Sequence, residues 1–185
     1  SVGSTMAASG MAAGFLVTHG VPLPFAFAGA IAIGLIVGLI NGAIISYGRI
    51  NPLIATLATL AIVRGLSYVI SGGRELVISN EAFLAFGVGR LFGVPFIVLL
   101  LIVTFLIFGW LMPRTLFGRY AYAIGSSARA AQRAGVPVVR WRIAYYVTCG
   151  GLASLAGLVF VARTGNAQPS AALGIELDVI TAVIL

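Results

Sequence analysis

Residues 113–142 read PRTLFGRYAYAIGSSARAAQRAGVPVVRWR, and they carry six of the chain's eleven arginines and no acidic residue between two long apolar runs. Working outward, the chain is 61% hydrophobic and 8% charged, with a mean hydropathy of +1.13. Several apolar runs approach the roughly 20 residues needed to cross a bilayer. A soluble domain has nowhere to hide that much apolar surface. The net charge of +7 comes entirely from arginine, because there is no lysine. In a soluble protein it would suggest nucleic acid; between apolar runs it is the signature of basic loops retained on one side of a membrane, so no nucleic-acid partner is expected. One cysteine (Cys149) and one histidine (His19) leave no intrachain disulfide and no Cys/His metal cluster.

These features predict an all-α, polytopic helical membrane protein built as a single transmembrane domain over residues 1–185. Spans are expected at about 2–18, 23–47, 52–71, 94–112 and 142–162, and a further apolar stretch, short or re-entrant, starts near Leu177. Strict alternation puts connections 48–51 and 113–141 on one side and 19–22, 72–93 and 163–176 on the other. The first pair holds Arg49, Arg114, Arg119, Arg129, Arg133 and Arg140; the others hold Arg74, Arg90 and Arg163, offset by Glu75, Glu81 and Glu176. The arginine-rich side, with loop 113–141, is therefore expected to be cytoplasmic.

The spans differ in kind. Phe96 to Met112 is nearly all large aliphatic and aromatic residues, as a lipid-facing helix would be, with Trp110 placed as an interfacial anchor. Gly34, Gly38 and Gly42 form overlapping small-xxx-small steps, as do Gly10 with Gly14, Gly150 with Ser154, and Ala153 with Gly157. Small residues at that spacing let helix backbones approach closely, and close packing is the role expected of them.

Deep polar residues need partners. Arg64 falls near the middle of the third span, where an unpaired guanidinium costs at least about 2.5 kcal/mol. It must face a partner, a cavity or water. Asn41, Thr56 and Thr59 cost less, and Thr56 lies two turns before Arg64 on a similar heading. Together they read either as the polar lining of a solute path or as interhelix hydrogen bonding around an arginine that snorkels toward an interface.

Within the arginine-rich connection, Ser126 or Ser127 is placed to cap a helix, Ala128 to Ala134 are good helix formers, Gly135 suits a left-handed terminus and Pro137 blocks continuation. About two turns of helix are expected, with Arg129 and Arg133 sharing a face and Gln132 alongside. Such a knob suits the groove of a partner, or is simply a solvated basic loop. At the other end, Glu176 and Asp178 open the last apolar stretch after Pro169 and Gly174, as caps on a helix dipole or as an outer-side contact.

Residues 118–157, GRYAYAIGSSARAAQRAGVPVVRWRIAYYVTCGGLASLAG, resemble the cytoplasmic loop and following span of the ribose-type branch of bacterial ABC importer permeases. The opening SVGS (Ser1 to Ser4), the stretch NGAIISYGRINPLIATLATLAIVRGL from Asn41 to Leu66 and the tail AQPSAALGIELDVITAVIL from Ala167 to Leu185 resemble the same family in the same order. The resemblance implies a permease subunit in the bacterial inner membrane that forms part of a path for a sugar or similar small hydrophilic solute. It implies ABC ATPase subunits, a second permease copy and a periplasmic sugar-binding protein as partners, within the lipid bilayer. Family members are longer, and the chain reads as part of a complete subunit, incomplete at both ends.

On this reading ATPase coupling falls to Ser127, Arg129, Gln132, Arg133, Ala134 and Gly135, and Glu176 and Asp178 become candidates for binding-protein contact. ATP and magnesium belong to the partner ATPase and no cofactor to this chain, because without lysine the GxxxxGK[ST] phosphate loop cannot be built. No constellation of acids, His19 and Cys149 suits catalysis, and no metal site is expected. A passive channel or facilitator, or a non-transporting membrane assembly subunit, is the alternative.

Overall fold

The computed structural model describes residues 1–91 and 93–185. Phe92, inside the third connection, lies outside the described residues. Among these, eight helices form in chain order: α1 (Val2–Thr18), α2 (Leu23–Gly48), α3 (Pro52–Ser71), α4 (Glu81–Val88), α5 (Phe96–Arg114), α6 (Leu116–Arg133), α7 (Val138–Thr164) and α8 (Ile175–Ile184). Four of them, α2, α3, α5 and α7, are long and apolar enough to cross a membrane, and α1 is a shorter apolar helix of 17 residues. The protein is an all-α, multi-pass membrane protein.

Local chemistry sets the boundaries. Asn51 accepts a hydrogen bond from the Leu53 amide at 2.9 Å, Pro52 occupies the first turn of α3, and Gly72 ends that helix at φ 60°. Asn80 caps α4 through the Phe83 amide at 3.0 Å. Prolines stand at the starts of α2 and α5, where a missing amide hydrogen costs nothing.

Helices α1, α2 and α7 form the centre of the bundle. Along α2 and α7 the contacts run in opposite directions: Gly34 lies on Gly150 and Ser154, Gly38 on Tyr146 and Val147, and Gly42 on Ile143. Along α1 and α7 they run the same way, Gly10 meeting Gly157 and Val161, and Gly14 meeting Ala167 beyond the helix end. The small-residue steps thus lie along one side of α7, meeting α2 in its first half and α1 further on, where they allow backbone-to-backbone contact. A compact apolar core at one end joins Met11, Val17, Ala30, Phe83, Leu158 and Val161.

That end is also where connections three and five meet. Two-residue strands β1 (Leu76–Val77) and β4 (Asn166–Ala167) pair antiparallel, and the Ile78 amide donates to the Gly165 carbonyl at 2.8 Å. A second small hairpin pairs β2 (Arg90–Leu91) with β3 (Val94–Pro95). Residues 72–93 are therefore not a plain connection. They hold α4, whose Phe83 is 0% exposed and whose Gly87 presses on the backbone of Ala162 and Arg163. Eight mostly apolar residues carry too little periodicity to announce such a helix; its reason to form is the surface it covers.

Two other boundaries differ from expectation. Pairing of Val94 with Leu91 delays the fourth span to Phe96, and Pro113 sits in the last turn of α5 without ending it. The following span starts at Val138 and not near residue 142, because Pro137 supplies a helix start that the nearby arginines obscured. No residue of α5 is buried by the rest of the chain, which agrees with a lipid-facing helix.

Candidate functional site

Three polar regions stand out, each assembled from several helices. Around the start of α1 the bundle leaves a cavity of about 220 Å³ walled by Thr5 of α1, Asn41 of α2, Thr56 of α3, Tyr146 and Cys149 of α7, and Glu176 of α8. Asn41 is buried; its Oδ1 accepts from Thr59 Oγ1 at 2.7 Å and its Nδ2 donates to Ser1 Oγ at 3.2 Å. Thr56 satisfies its hydroxyl on the Pro52 and Leu53 carbonyls. Of the four residues expected on a path, Asn41 and Thr56 face this cavity, Thr59 stands behind Asn41, and Arg64 lies elsewhere.

Arg64 is 9% exposed and shares the buried face of α3 with Ala55, Thr59 and Ser67, while Thr56 turns aside. Its Nη1 donates to the carbonyls of Pro169 at 2.9 Å and Ala171 at 2.7 Å. Those carbonyls belong to a non-helical segment that runs from Gly165 into the bundle, with Gln168 held by Glu75 at 2.7 Å and left-handed turns at Ala172 and Gly174. Backbone of this kind survives at membrane depth only where protein groups satisfy it, and the guanidinium does so here. Sequence alone required a partner for Arg64 without revealing that the partner is a main chain 105 residues away.

Because that segment turns inward, α8 begins inside the bundle. Glu176 is not at the outer end where the sequence put it: its Oε1 accepts from the Gly3 amide at 2.9 Å, at the positive start of α1. Asp178 is exposed on α8.

The third region lies at the arginine-rich end. After α5, Gly118 packs directly on the Met112 backbone, so α6 folds back sharply. Phe117 and Tyr120 meet Trp141 and Tyr145 of α7 edge-on, and the Tyr145 hydroxyl donates to the Phe117 carbonyl at 2.8 Å. The connection expected to be mostly loop is therefore helical from Leu116. Its expected short helix appears as a distinct final segment: Ser127 is extended (φ −159°, ψ 103°), and its Oγ accepts from the Ala130 amide at 3.2 Å, which restarts the helix. Gly135, at φ 84°, ends it, with the Val136 amide returning to the Ala131 carbonyl.

Arg129 and Arg133 stand one turn apart in the helical segment after Ser127, and both are exposed. Arg129 and Gln132 line a cleft of about 530 Å³ with Arg49, Arg140 and Arg142, whereas Arg133 and Ala134 are exposed outside it. A spacing of four put the two arginines side by side, but the cleft between this segment and the start of α7 takes only the nearer one.

Four membrane-length apolar helices, a broken inward-turning segment beside a mainly apolar cavity with a few polar groups, and a kinked basic helix at one end suit a membrane permease component. The chain belongs to the family described as branched-chain amino acid transport system / permease component, whose profile matches residues 1–185. Among curated relatives it is 38% identical over 185 residues to the L-arabinose ABC transporter permease protein AraH of Azospirillum brasilense, covering all of this chain and 55% of that one. It is 44% identical over 146 residues to the L-arabinose transport system permease protein AraH of Escherichia coli K12, covering 79% of this chain and 44% of that one. Ribose import permease protein RbsC of Escherichia coli K12 is 39% identical over 189 residues, covering all of this chain and 59% of that one. The chain thus spans about half the length of these relatives. No solved structure matches it.

Proposed function

We propose that the complete subunit is the membrane-spanning permease of an ABC importer for a monosaccharide or similar small hydrophilic solute. The relatives named for arabinose and ribose support the substrate class. The observation that carries the mechanism is the break at Ser127, which sets a short capped helix off the end of α6 at the arginine-rich end of the bundle. An element of that kind, anchored to α7 through the Phe117–Tyr145 contact, transmits a push from an ATPase into the helix that packs against both α1 and α2. ATP and its magnesium belong to that ATPase. A second permease copy completes the path, and a periplasmic binding protein delivers the sugar. The arginine excess orients connections two and four to the cytoplasm of a bacterial inner membrane.

The test is co-purification of the ATPase with the tagged full-length subunit from detergent-solubilised membranes, followed by ATP hydrolysis with and without sugar-loaded binding protein. Arg129→Glu with Arg133→Glu is expected to reduce ATPase recovery at least roughly tenfold, about 1.4 kcal/mol, with membrane insertion intact. Undiminished recovery in that double variant removes the coupling assignment, and a wild-type preparation with no ATPase favours a passive channel or an assembly subunit.

A further inference from the structure

The cleft at the arginine-rich end is built for an anion. Arg49, Arg129, Arg140 and Arg142 line it, together with Ser46 and Gln132, and among the described residues no carboxylate is in its walls. Ser46 is 9% exposed, and its Oγ has no hydrogen-bond partner. A buried hydroxyl left unpaired is destabilising unless a ligand or solvent pairs it. Pro137, Val138 and Val139 form another wall, so the first turn of the 27-residue helix α7, which no side chain caps, opens onto the same space. Uncapped amides at a helix start favour negative charge. Arg49 reaches the cleft from a left-handed backbone at φ 51°, a conformation unfavourable for a non-glycine residue.

The cleft does not stand alone. Ile36, Ile40, Ile44 and Tyr47 follow one another down α2 at spacings of four, four and three, all exposed, and Tyr47 forms part of the cleft wall. An apolar stripe of helical length ending at a cluster of guanidinium groups fits a molecule with a hydrocarbon chain and an anionic head. Neither free phosphate nor an acidic side chain would use the stripe.

We propose that this cleft binds the phosphate of an anionic phospholipid headgroup, with an acyl chain lying along Ile44 and Ile40 of α2. Basic residues at a membrane surface attract such headgroups. The cleft shares Arg129 and Gln132 with the coupling reading, whereas Arg49, Arg140 and Ser46 lie outside the residues assigned to the ATPase.

The experiment is native mass spectrometry of the full-length subunit in its assembled transporter, delipidated and then titrated with phosphatidylglycerol or phosphatidylcholine, with inorganic phosphate as a third arm. Wild type is expected to retain phosphatidylglycerol at least about tenfold better than phosphatidylcholine. Arg49→Gln with Arg140→Gln is expected to lose most of that preference, Ser46→Ala to lose a smaller part, and Arg133→Gln, outside the cleft, to keep it. Equal retention of the two lipids by wild type overturns the proposal whether or not the variants fold. A full preference in the double variant also overturns it, and so does displacement of phosphatidylglycerol by millimolar phosphate, which would make the site one for the free ion. ATPase recovery, measured on the same samples, is expected to be unchanged in the Arg49/Arg140 variant, so failure of the lipid site and failure of the coupling assignment give different results.

Discussion

At the scale of single residues, Arg64 shows how a costly side chain is used when its partner is far away in sequence. One guanidinium nitrogen holds two carbonyls of the inward-turning segment, while Nε remains without a partner. Arg64→Met removes the donors and leaves both carbonyls unpaired in a low-dielectric setting, a loss of about 1–3 kcal/mol. Hydrogen–deuterium exchange of residues 165–174 in the full-length subunit is expected to speed up by roughly 10- to 100-fold, and Arg64→Lys is expected to recover part of the protection. Unchanged exchange in Arg64→Met would mean that the segment is held by β1–β4 pairing alone. The sequence marked Arg64 as needing an explanation; it could not supply this one, because Pro169 and Ala171 offer only backbone oxygen, and every residue has that.

At the scale of elements, the glycines of α2 and α7 decide how closely the two helices meet. A Cβ at Gly150 would collide with the Gly34 carbonyl, whereas one at Gly109 on α5 would meet nothing within 4 Å. Gly150→Ala is therefore expected to destabilise the subunit by about 1–3 kcal/mol, read as a lower midpoint for thermal unfolding in detergent, and Gly109→Ala to leave the midpoint unchanged or slightly raised. Equal effects at the two positions would remove the packing explanation. These steps were legible in sequence because their spacing of four is a helical period. The fold-back of α6 was not: its aromatic residues Phe117 and Tyr120 look like loop decoration until Trp141 and Tyr145 of α7 are brought opposite them. The same holds for the arginine-lined cleft, which takes Arg129 and not its neighbour by period, Arg133.

At the scale of the whole molecule, strand pairing and the Ile78–Gly165 hydrogen bond gather connections three and five at one end, and the arginine-lined cleft gathers connections two and four at the other. On a Cys149→Ala background of the full-length subunit, a cysteine at Ser126 is expected to react with a membrane-impermeant maleimide only in inside-out vesicles. A cysteine at Gly73 is expected to react only from the opposite face. Labelling of both from the same side would reverse the alternation on which the cytoplasmic assignment of α6 depends.

The sequence by itself determined the membrane class, the order of the principal spans, the arginine asymmetry between the two ends, the small-residue steps and a capped turn at Ser126 or Ser127. All of these rest on local hydrophobicity, helical period and backbone preference within a few residues. Tertiary structure alone decided that 165–174 turns inward, that Arg64 and Glu176 serve its backbone and the start of α1, that α4 closes one end, and that four arginines and Ser46 share one cleft. Those outcomes depend on contacts between residues tens to more than a hundred positions apart, between partners such as main-chain carbonyls and amides that leave no mark in the sequence.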